Sequence, residues 1–245
     1  PPPPPPPTTC RRQRQMCIRD SNYADAYFYY ALLLVEIKDV EEAKNNFDKV
    51  TEINKNYAPA YFNKAKLLTN ADDYEEARKN YETAIDIDED YTEAHYYMAK
   101  LLSGGIATDK EGTIVDRTDL PQAKKHLLKV IELDKDHAKA CYNLGRIYGI
   151  EEDFKNSKTF LVRALKINPE YSKAHLLLAN AYERFQKFDD AKKHFSLSIQ
   201  FFKENALAHF RLGVRLYLEG EFSESEKHLK ASISIEAQNA EACLL

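Results

Sequence analysis

Residues 58–91 read APAYFNKAKLLTNADDYEEARKNYETAIDIDEDY, and this stretch decides the fold. Its two halves place apolar residues at i, i+3, i+4 and i+7, which is the spacing of amphipathic helices. A polar break at Asp72-Asp73 separates the halves. Because neither helix is long enough to bury its apolar face alone, the two are expected to pack against each other and against neighbouring copies.

Two columns of small residues show that the 34-residue pattern recurs about six times. In the first half of each repeat the steps are 34, 34, 46, 34 and 34, through Ala31, Ala65, Ala99, Gly145, Ala179 and Gly213. In the second half the steps are 34, 46, 34, 34 and 34, through Ala43, Ala77, Ala123, Ser157, Ala191 and Ser225. Both columns place one insertion in the third repeat. Small residues permit close helix approach, so these columns predict the contact line within each helix pair.

Repeat four carries the motif most fully, with Leu144-Gly145, Tyr148, Ala164 and Pro169. This pattern resembles the tetratricopeptide repeat (TPR), a 34-residue helix–turn–helix. The resemblance covers the chain from about residue 22 onwards, although Trp is absent and Tyr, His or Cys fills the leading aromatic column. It implies an all-α, right-handed α-solenoid of about six helix-turn-helix repeats, in which the first helix of each repeat lines the concave surface.

The predicted domain organisation is a short leading segment followed by the repeat array over residues 22–245. Residues 1–21 hold a proline run and a basic stretch, and residues 15–21 resemble a translated sequencing-library adapter, so we expect this segment to be foreign to the protein. The repeats are expected at about 24–57, 58–91, 92–137, 138–171, 172–205 and 206–239, with the start of a seventh at 240–245.

Two parts of the array depart from the simple repeat. The insertion at 104–117 is expected to lengthen the loop between the two helices of repeat three, either as a plain surface loop or as a flap that contacts a partner. No polar capping helix follows residue 245, so we expect the sequence to be a fragment of a longer protein. An uncapped end would expose apolar surface, which makes self-association through the terminal repeats a further expectation.

Composition argues against several classes of protein. The net charge is -4 and the pI is about 6.0, which gives no basic excess for nucleic acid. No apolar run approaches the ~18 residues of a membrane helix, so no membrane association is expected. The cysteines, Cys10, Cys17, Cys141 and Cys243, form no CxxC motif, which is typical of a reducing compartment and predicts a cytoplasmic protein.

No catalytic, metal or cofactor site is predicted. The histidines fall into repeat columns, one with His95, His175 and His209 and another with His126, His194 and His228. Recurrence at the structural period favours a packing or surface role for them over metal binding. The chain has no GxxxxGK[ST] or GxGxxG phosphate-binding motif and no nucleophile beside a matched base. We therefore expect no enzyme activity and no cofactor.

The candidate binding residues lie on the first helices. One column is almost wholly aromatic, and the residues one helical turn later are basic in repeats two to four. With two lysines that open later helices, the candidate peptide-binding set is Phe62, Lys66, Tyr96, Lys100, Lys139, Tyr142, Arg146 and Lys173. The alternative is that the aromatic residues pack between helices and the cations only solubilise the surface.

These features predict a non-catalytic scaffold or adaptor that binds a peptide or helix with acidic and apolar residues in the concave groove. A second hypothesis is a regulatory appendage of a larger enzyme whose catalytic domain is absent from this chain. A third is single-stranded RNA binding, because aromatic and basic columns also suit stacked bases, although the acidic net charge disfavours it.

Overall fold

The computed structural model describes residues 23–104, 106–108, 114–116 and 118–242, and these contain twelve α-helices. The helices pair in chain order, one pair to each repeat. They are α1 (23–36), α2 (Val40–Ile53), α3 (Ala58–Asn70), α4 (Tyr74–Ile87), α5 (Thr92–Leu102), α6 (Leu120–Leu133), α7 (Ala138–Ile150), α8 (Phe154–Ile167), α9 (Ser172–Arg184), α10 (Phe188–Phe201), α11 (Ala206–Leu218) and α12 (Phe222–Ala242).

The chain divides into two compact units, with the division between His126 and Leu127 inside α6. The core of the N-terminal compact unit includes Phe47 and Tyr81, whose side chains are fully buried. In the C-terminal compact unit, Leu161 and Phe195 are equally inaccessible. These four residues belong to one column of the repeat, so each compact unit builds its core from the same position on successive even-numbered helices.

The small-residue columns lie in the core, as the sequence predicts. Every member of both columns is buried. In repeats four and six a glycine on the first helix accompanies a serine on the second. Ser157 Oγ–H donates to the carbonyl of Gly145 at 2.8 Å, and Ser225 Oγ–H donates to that of Gly213 at 2.8 Å. The glycine permits the closer approach that brings the hydroxyl within reach of the helix backbone.

We expect Gly145→Ala to lower the free energy of unfolding by about 1 kcal/mol or more. A Cβ there would lie 2.6 Å from Leu161 Cγ, and overpacking typically costs ~1–3 kcal/mol. Gly149→Ala is the matched control on the same helix. Its Cβ would meet only Ser157 Oγ, at 3.5 Å, so better helix propensity should stabilise by ~0.5–1 kcal/mol. Urea denaturation followed by circular dichroism measures both, and equal stabilisation by the two changes would contradict the close approach.

The turn within a repeat has one recurring geometry. A residue with positive φ ends the first helix, and these residues are Lys38, Asp72, Glu152, Gln186 and Gly220. The next N–H returns to the carbonyl five residues earlier, for example Asp39 to Leu34 at 2.9 Å. This is the Schellman arrangement that closes a helix C-terminus. The Asp39 and Asp153 carboxylates then accept from N–H groups of the second helix, as N-cap residues do.

The insertion in repeat three contains two short strands, β1 (Ile106–Thr108) and β2 (Ile114–Asp116), which pair antiparallel with Ala107 opposite Val115. The sequence pattern predicted only a lengthened loop here. The strands are rich in β-branched residues, which favour extended backbone over helix. Helix α12 also runs on to Ala242, past the boundary expected at residue 240.

Several expectations concern other parts of the chain. The leading segment 1–21, the loop at 109–113 and the last three residues lie outside the described residues. Of the four cysteines, Cys141 lies within them, as a buried free thiol. Burial raises the pKa of this thiol, so Cys141 behaves as a small core residue in the packing of α7.

Candidate peptide-binding surface

In the N-terminal compact unit, two of the predicted cations converge on one aromatic ring. Helix α3 carries Lys66, and α5 carries Lys100 and Tyr97. The Lys66 Nζ lies 5.3 Å and the Lys100 Nζ 5.8 Å from the centroid of the Tyr97 ring. Both distances are within cation–π range. The half-buried ring therefore holds two ammonium groups on one surface, across the contact between α3 and α5.

Phe62, by contrast, is only 7% exposed. Its ring centroid lies 6.1 Å from that of Tyr81, 5.1 Å from that of Tyr91 and 5.6 Å from that of Tyr97. The ring packs between helices, which is the alternative that sequence analysis left open for the aromatic column. Phe62 is thus placed to support Tyr97 and Lys66 from below, whereas the half-buried Tyr96 stands edge-on to Tyr97 at 5.5 Å.

The repeat pattern did not identify Tyr97 as a candidate binding residue. Its column has no common chemistry, with Tyr29, Asn63, Tyr97, Asn143, Leu177 and Arg211 in successive repeats. A comparison of equivalent positions between repeats detects residue types that recur. An aromatic ring stands at this position only in repeats one and three, so the comparison does not mark it. The available signal was local, since Tyr97 lies three residues before Lys100 and therefore on the same side of α5.

In the C-terminal compact unit the predicted residues lie on α7 and α9. Tyr142 and Arg146 are half-buried on α7, while Lys139 and Lys173 are exposed. The Tyr142 ring packs against that of Tyr171, with 4.8 Å between centroids. Burial raises the pKa of the Tyr142 hydroxyl, and the nearby Arg146 partly opposes this rise. Tyr142 is therefore a neutral, mainly apolar contact beside a guanidinium.

Six of the seven histidines form three pairs, one each in repeats three, five and six. The Nδ1 atoms of His95 and His126 are 2.8 Å apart, and both other pairs have a 2.9 Å separation. The remaining pairs are His175 with His194 and His209 with His228. The sequence showed the two histidine columns, but not that their side chains meet.

The hydrogen bonds around each pair limit which ring nitrogen can donate and which can accept. In repeat five, His175 Nε2 lies 2.9 Å from the carbonyl oxygen of Pro169, which can only accept. The Nε2–H therefore donates to the carbonyl, and Nδ1 of the neutral ring accepts from the Nδ1–H of His194. Burial lowers the pKa of His194 to about 4 and also lowers that of His175. The repeat-five pair therefore joins α9 and α10 as two neutral imidazoles.

These pairs fit the packing role that the sequence predicts. In the described part of the chain no three His, Cys, Asp or Glu side chains converge as metal ligands would. None of the described helices combines the length and apolar character of a membrane span. The odd-numbered helices instead present aromatic contact area, from side chains such as Tyr97 and Tyr142, and the positive charge of lysine and arginine side chains.

Known structures resemble this chain at low sequence identity. PilF of Pseudomonas aeruginosa aligns with a TM-score of 0.70 and 18% identity, over 91% of this chain and 99% of that one. MamA from Desulfovibrio magneticus RS-1 gives 0.62 and 20%, over 75% and 97%. YrrB, described as a TPR protein with an unusual peptide-binding site, gives 0.60 and 22%, over 78% and 92%. At these identities the likeness establishes the fold alone. No curated protein matches the sequence.

Family models of the repeat match most of the array. A model described as TPR repeat matches residues 67–103, and models described as tetratricopeptide repeat match 24–57, 138–171, 46–79 and 176–241. Together with the paired helices, these matches confirm the predicted all-α solenoid of TPR-type repeats. Repeats of this kind are protein-interaction modules and are generally not catalytic. The chain belongs to the tetratricopeptide repeat family.

Proposed function

We propose that this chain is a non-catalytic scaffold or adaptor that binds an acidic and apolar peptide or helix of a protein partner on its odd-numbered helices. The observation that carries the proposal is the half-buried Tyr97 ring with the Lys66 and Lys100 ammonium groups 5.3 and 5.8 Å away. Family membership supports the protein-interaction role, and the side chains indicate the chemistry of the partner.

The Tyr97 cluster, defined as Lys66, Tyr96, Tyr97 and Lys100, suits an acidic segment for two reasons. Aromatic rings provide large contact areas with few rotatable bonds, so little entropy is lost when a partner packs on them. The ammonium groups attract carboxylates, which orients the partner and raises the association rate more than the affinity. Phe62 supports this cluster from the core, so its contribution is positional.

The C-terminal compact unit offers a comparable surface of its own. Tyr142 supplies apolar contact area, Arg146 a half-buried guanidinium, and Lys139 and Lys173 exposed ammonium groups. A guanidinium can bind a carboxylate through two parallel hydrogen bonds, which gives more geometric specificity than a lysine provides. We therefore assign orientation of the partner mainly to Arg146 and electrostatic attraction to the two lysines.

Charge reversal of Lys66, Lys100 and Arg146 to Glu should weaken peptide binding at least tenfold, equivalent to about 1.4 kcal/mol, because it replaces attraction by repulsion. The probe is a peptide selected from a random phage-displayed library on the full chain. Its Kd is measured by fluorescence anisotropy, after circular dichroism has shown that the variant is folded.

The matched control reverses three exposed lysines on even-numbered helices, Lys79, Lys155 and Lys193, and so changes the net charge equally. We expect its Kd to stay within about twofold of the wild type, since surface charges far from a contact have small effects at physiological salt. Equal weakening by both triple variants would contradict a site on the odd-numbered helices. Failure to select any peptide would contradict peptide binding itself.

A further inference from the structure

We infer that Gly149 opens a side-chain pocket in the C-terminal compact unit, which takes a branched aliphatic residue of the partner together with the carboxylate beside it. The inference rests on the proposed peptide-binding function and names the residue that the site selects. It depends on three observations, which are the volume of the pocket, the glycine at position 149 that leaves it open, and the polar side chains that line it.

The pocket lies between α7, the start of α8 and α9, and has a volume of about 240 Å³. Ile150, Phe154 and Leu177 form its apolar walls. Sites for whole small molecules usually measure ~300–1,000 Å³, so this space fits a single aliphatic side chain better than a cofactor. Burial of a Leu-sized side chain removes apolar surface from water, which makes such a pocket an effective anchor.

Gly149 accounts for the opening, and close packing does not explain why this residue is glycine. The same column in the other repeats carries a side chain in every case, namely Val35, Thr69, Ser103, Glu183 and Tyr217. A Cβ at Gly149 would make only an ordinary contact with Ser157 Oγ, whereas Gly145 directly faces Leu161. A glycine inside a helix is destabilising relative to alanine. No contact within the repeat therefore compensates for the glycine at position 149. The result of the missing side chain is the open space beside α7.

A buried acceptor at the pocket wall has no partner among the described residues. The Oδ1 atom of Asn180 is inaccessible to solvent and makes no hydrogen bond there. An unsatisfied buried acceptor is unfavourable, and rotation of the Asn180 amide on binding would let this oxygen accept from a ligand donor. A peptide N–H is a suitable donor, because it accompanies every side chain that enters the pocket along an extended segment.

Positive charge at the pocket wall favours a ligand that carries a carboxylate. Arg146 is the charged side chain among the residues that line the pocket. The guanidinium of Arg184 lies 5.3 Å from the ring centroid of Phe154, and so adds positive charge near the apolar wall. A carboxylate next to the aliphatic residue would pair with Arg146 in a charge-assisted hydrogen bond. The ligand is therefore a Leu-like residue with its own N–H and an adjacent or terminal carboxylate.

N-acetyl-L-leucine contains all three features and serves as the probe. We expect saturable ¹H–¹⁵N shift changes confined to α7, the start of α8 and α9 of the full chain. N-acetylglycine lacks the side chain and N-acetyl-L-leucinamide lacks the carboxylate, so each should bind at least fivefold more weakly. Gly149→Leu should abolish the shifts by filling the space, and Asn180→Leu should weaken binding at least fivefold while keeping a side chain of similar size.

Lys155→Leu adds the same side chain to an exposed position of α8 and should leave the shifts unchanged. Unaltered binding of N-acetyl-L-leucine to both Gly149→Leu and Asn180→Leu would overturn the pocket. Binding of the phage-selected peptide shows whether only the pocket is wrong or whether the proposed peptide-binding function is wrong as well. If the charge-reversal variant weakens that peptide but Gly149→Leu binds it with wild-type Kd, the surface stands and the pocket is wrong. A tenfold or greater loss with Gly149→Leu supports the pocket.

Discussion

Phe195→Ala is expected to lower the free energy of unfolding of the C-terminal compact unit by about 3–5 kcal/mol. The Phe195 side chain is fully buried in the cluster formed by α9, α10 and α11, against Ala179, Ala208 and Leu212. Alanine neighbours cannot extend into the space that the ring would leave, so a cavity would remain and its cost would add to the lost transfer free energy. Urea denaturation of the full chain, followed by circular dichroism and tyrosine fluorescence, measures the change.

Phe202→Ala is the control for this prediction. Phe202 has the same side chain and lies just beyond the end of α10, but it is 50% exposed. Its truncation should cost less than about 1 kcal/mol, as is usual for a partly exposed surface residue. Similar losses for Phe195→Ala and Phe202→Ala would show that the column to which Phe195 belongs does not form the core.

The histidine pairs should make stability depend steeply on pH below about 6.5. An unfolded histidine has a pKa near 6.5, whereas burial lowers the pKa of His194, and likewise that of His126, to about 4. Between these values the unfolded chain binds more protons than the folded one, so stability falls as the pH falls. The stability contributed by these histidines is fully present above pH ~6.5. It is lost progressively towards pH ~4, by at most ~1.4 kcal/mol per pH unit for each such histidine.

The groups around the repeat-five pair determine this behaviour. His175 is stacked on Phe201, with 5.6 Å between centroids, and donates to the Pro169 carbonyl. His194 is stacked on Tyr182, and Lys193 lowers its pKa while Asp190 raises it. Protonation of both rings would remove the acceptor that holds the Nδ1 atoms 2.9 Å apart and would place two positive charges side by side.

The test replaces the pair with residues from the same columns of the chain. Repeats one and two carry Tyr27 with Asn46 and Tyr61 with Asn80 at these positions, so the variant is His175→Tyr with His194→Asn. Because carboxylates also titrate in this range, the informative quantity is the stability difference between wild type and variant. We expect that difference to shift in favour of the variant between pH 7 and pH 4.5. A constant difference over this range would contradict the titration of the pair.

Much of the fold follows from local sequence. Helix periodicity, the small residues of the two columns and the polar breaks each act within about 34 residues, and they predicted the paired helices and the close contact at Gly145. The N-caps Asp39 and Asp153 were also predictable, because a cap depends on a side chain and the backbone three residues later. In the insertion the same reasoning failed to predict β1 and β2, since three-residue strands are too short to show alternation.

The sequence by itself therefore determined that this protein is an array of TPR helix pairs, which residues form the core columns, and where the aromatic and basic positions fall. Only the tertiary structure decided which of those side chains meet. It placed Tyr97 beside two lysines, buried Phe62, paired His175 with His194, and set Asn180 at the wall of a pocket next to Gly149. The physical reason is that periodicity specifies the face of a helix on which a residue lies. Contacts between helices depend instead on the crossing angle and separation of the helices, and these are determined jointly by side chains from distant parts of the chain.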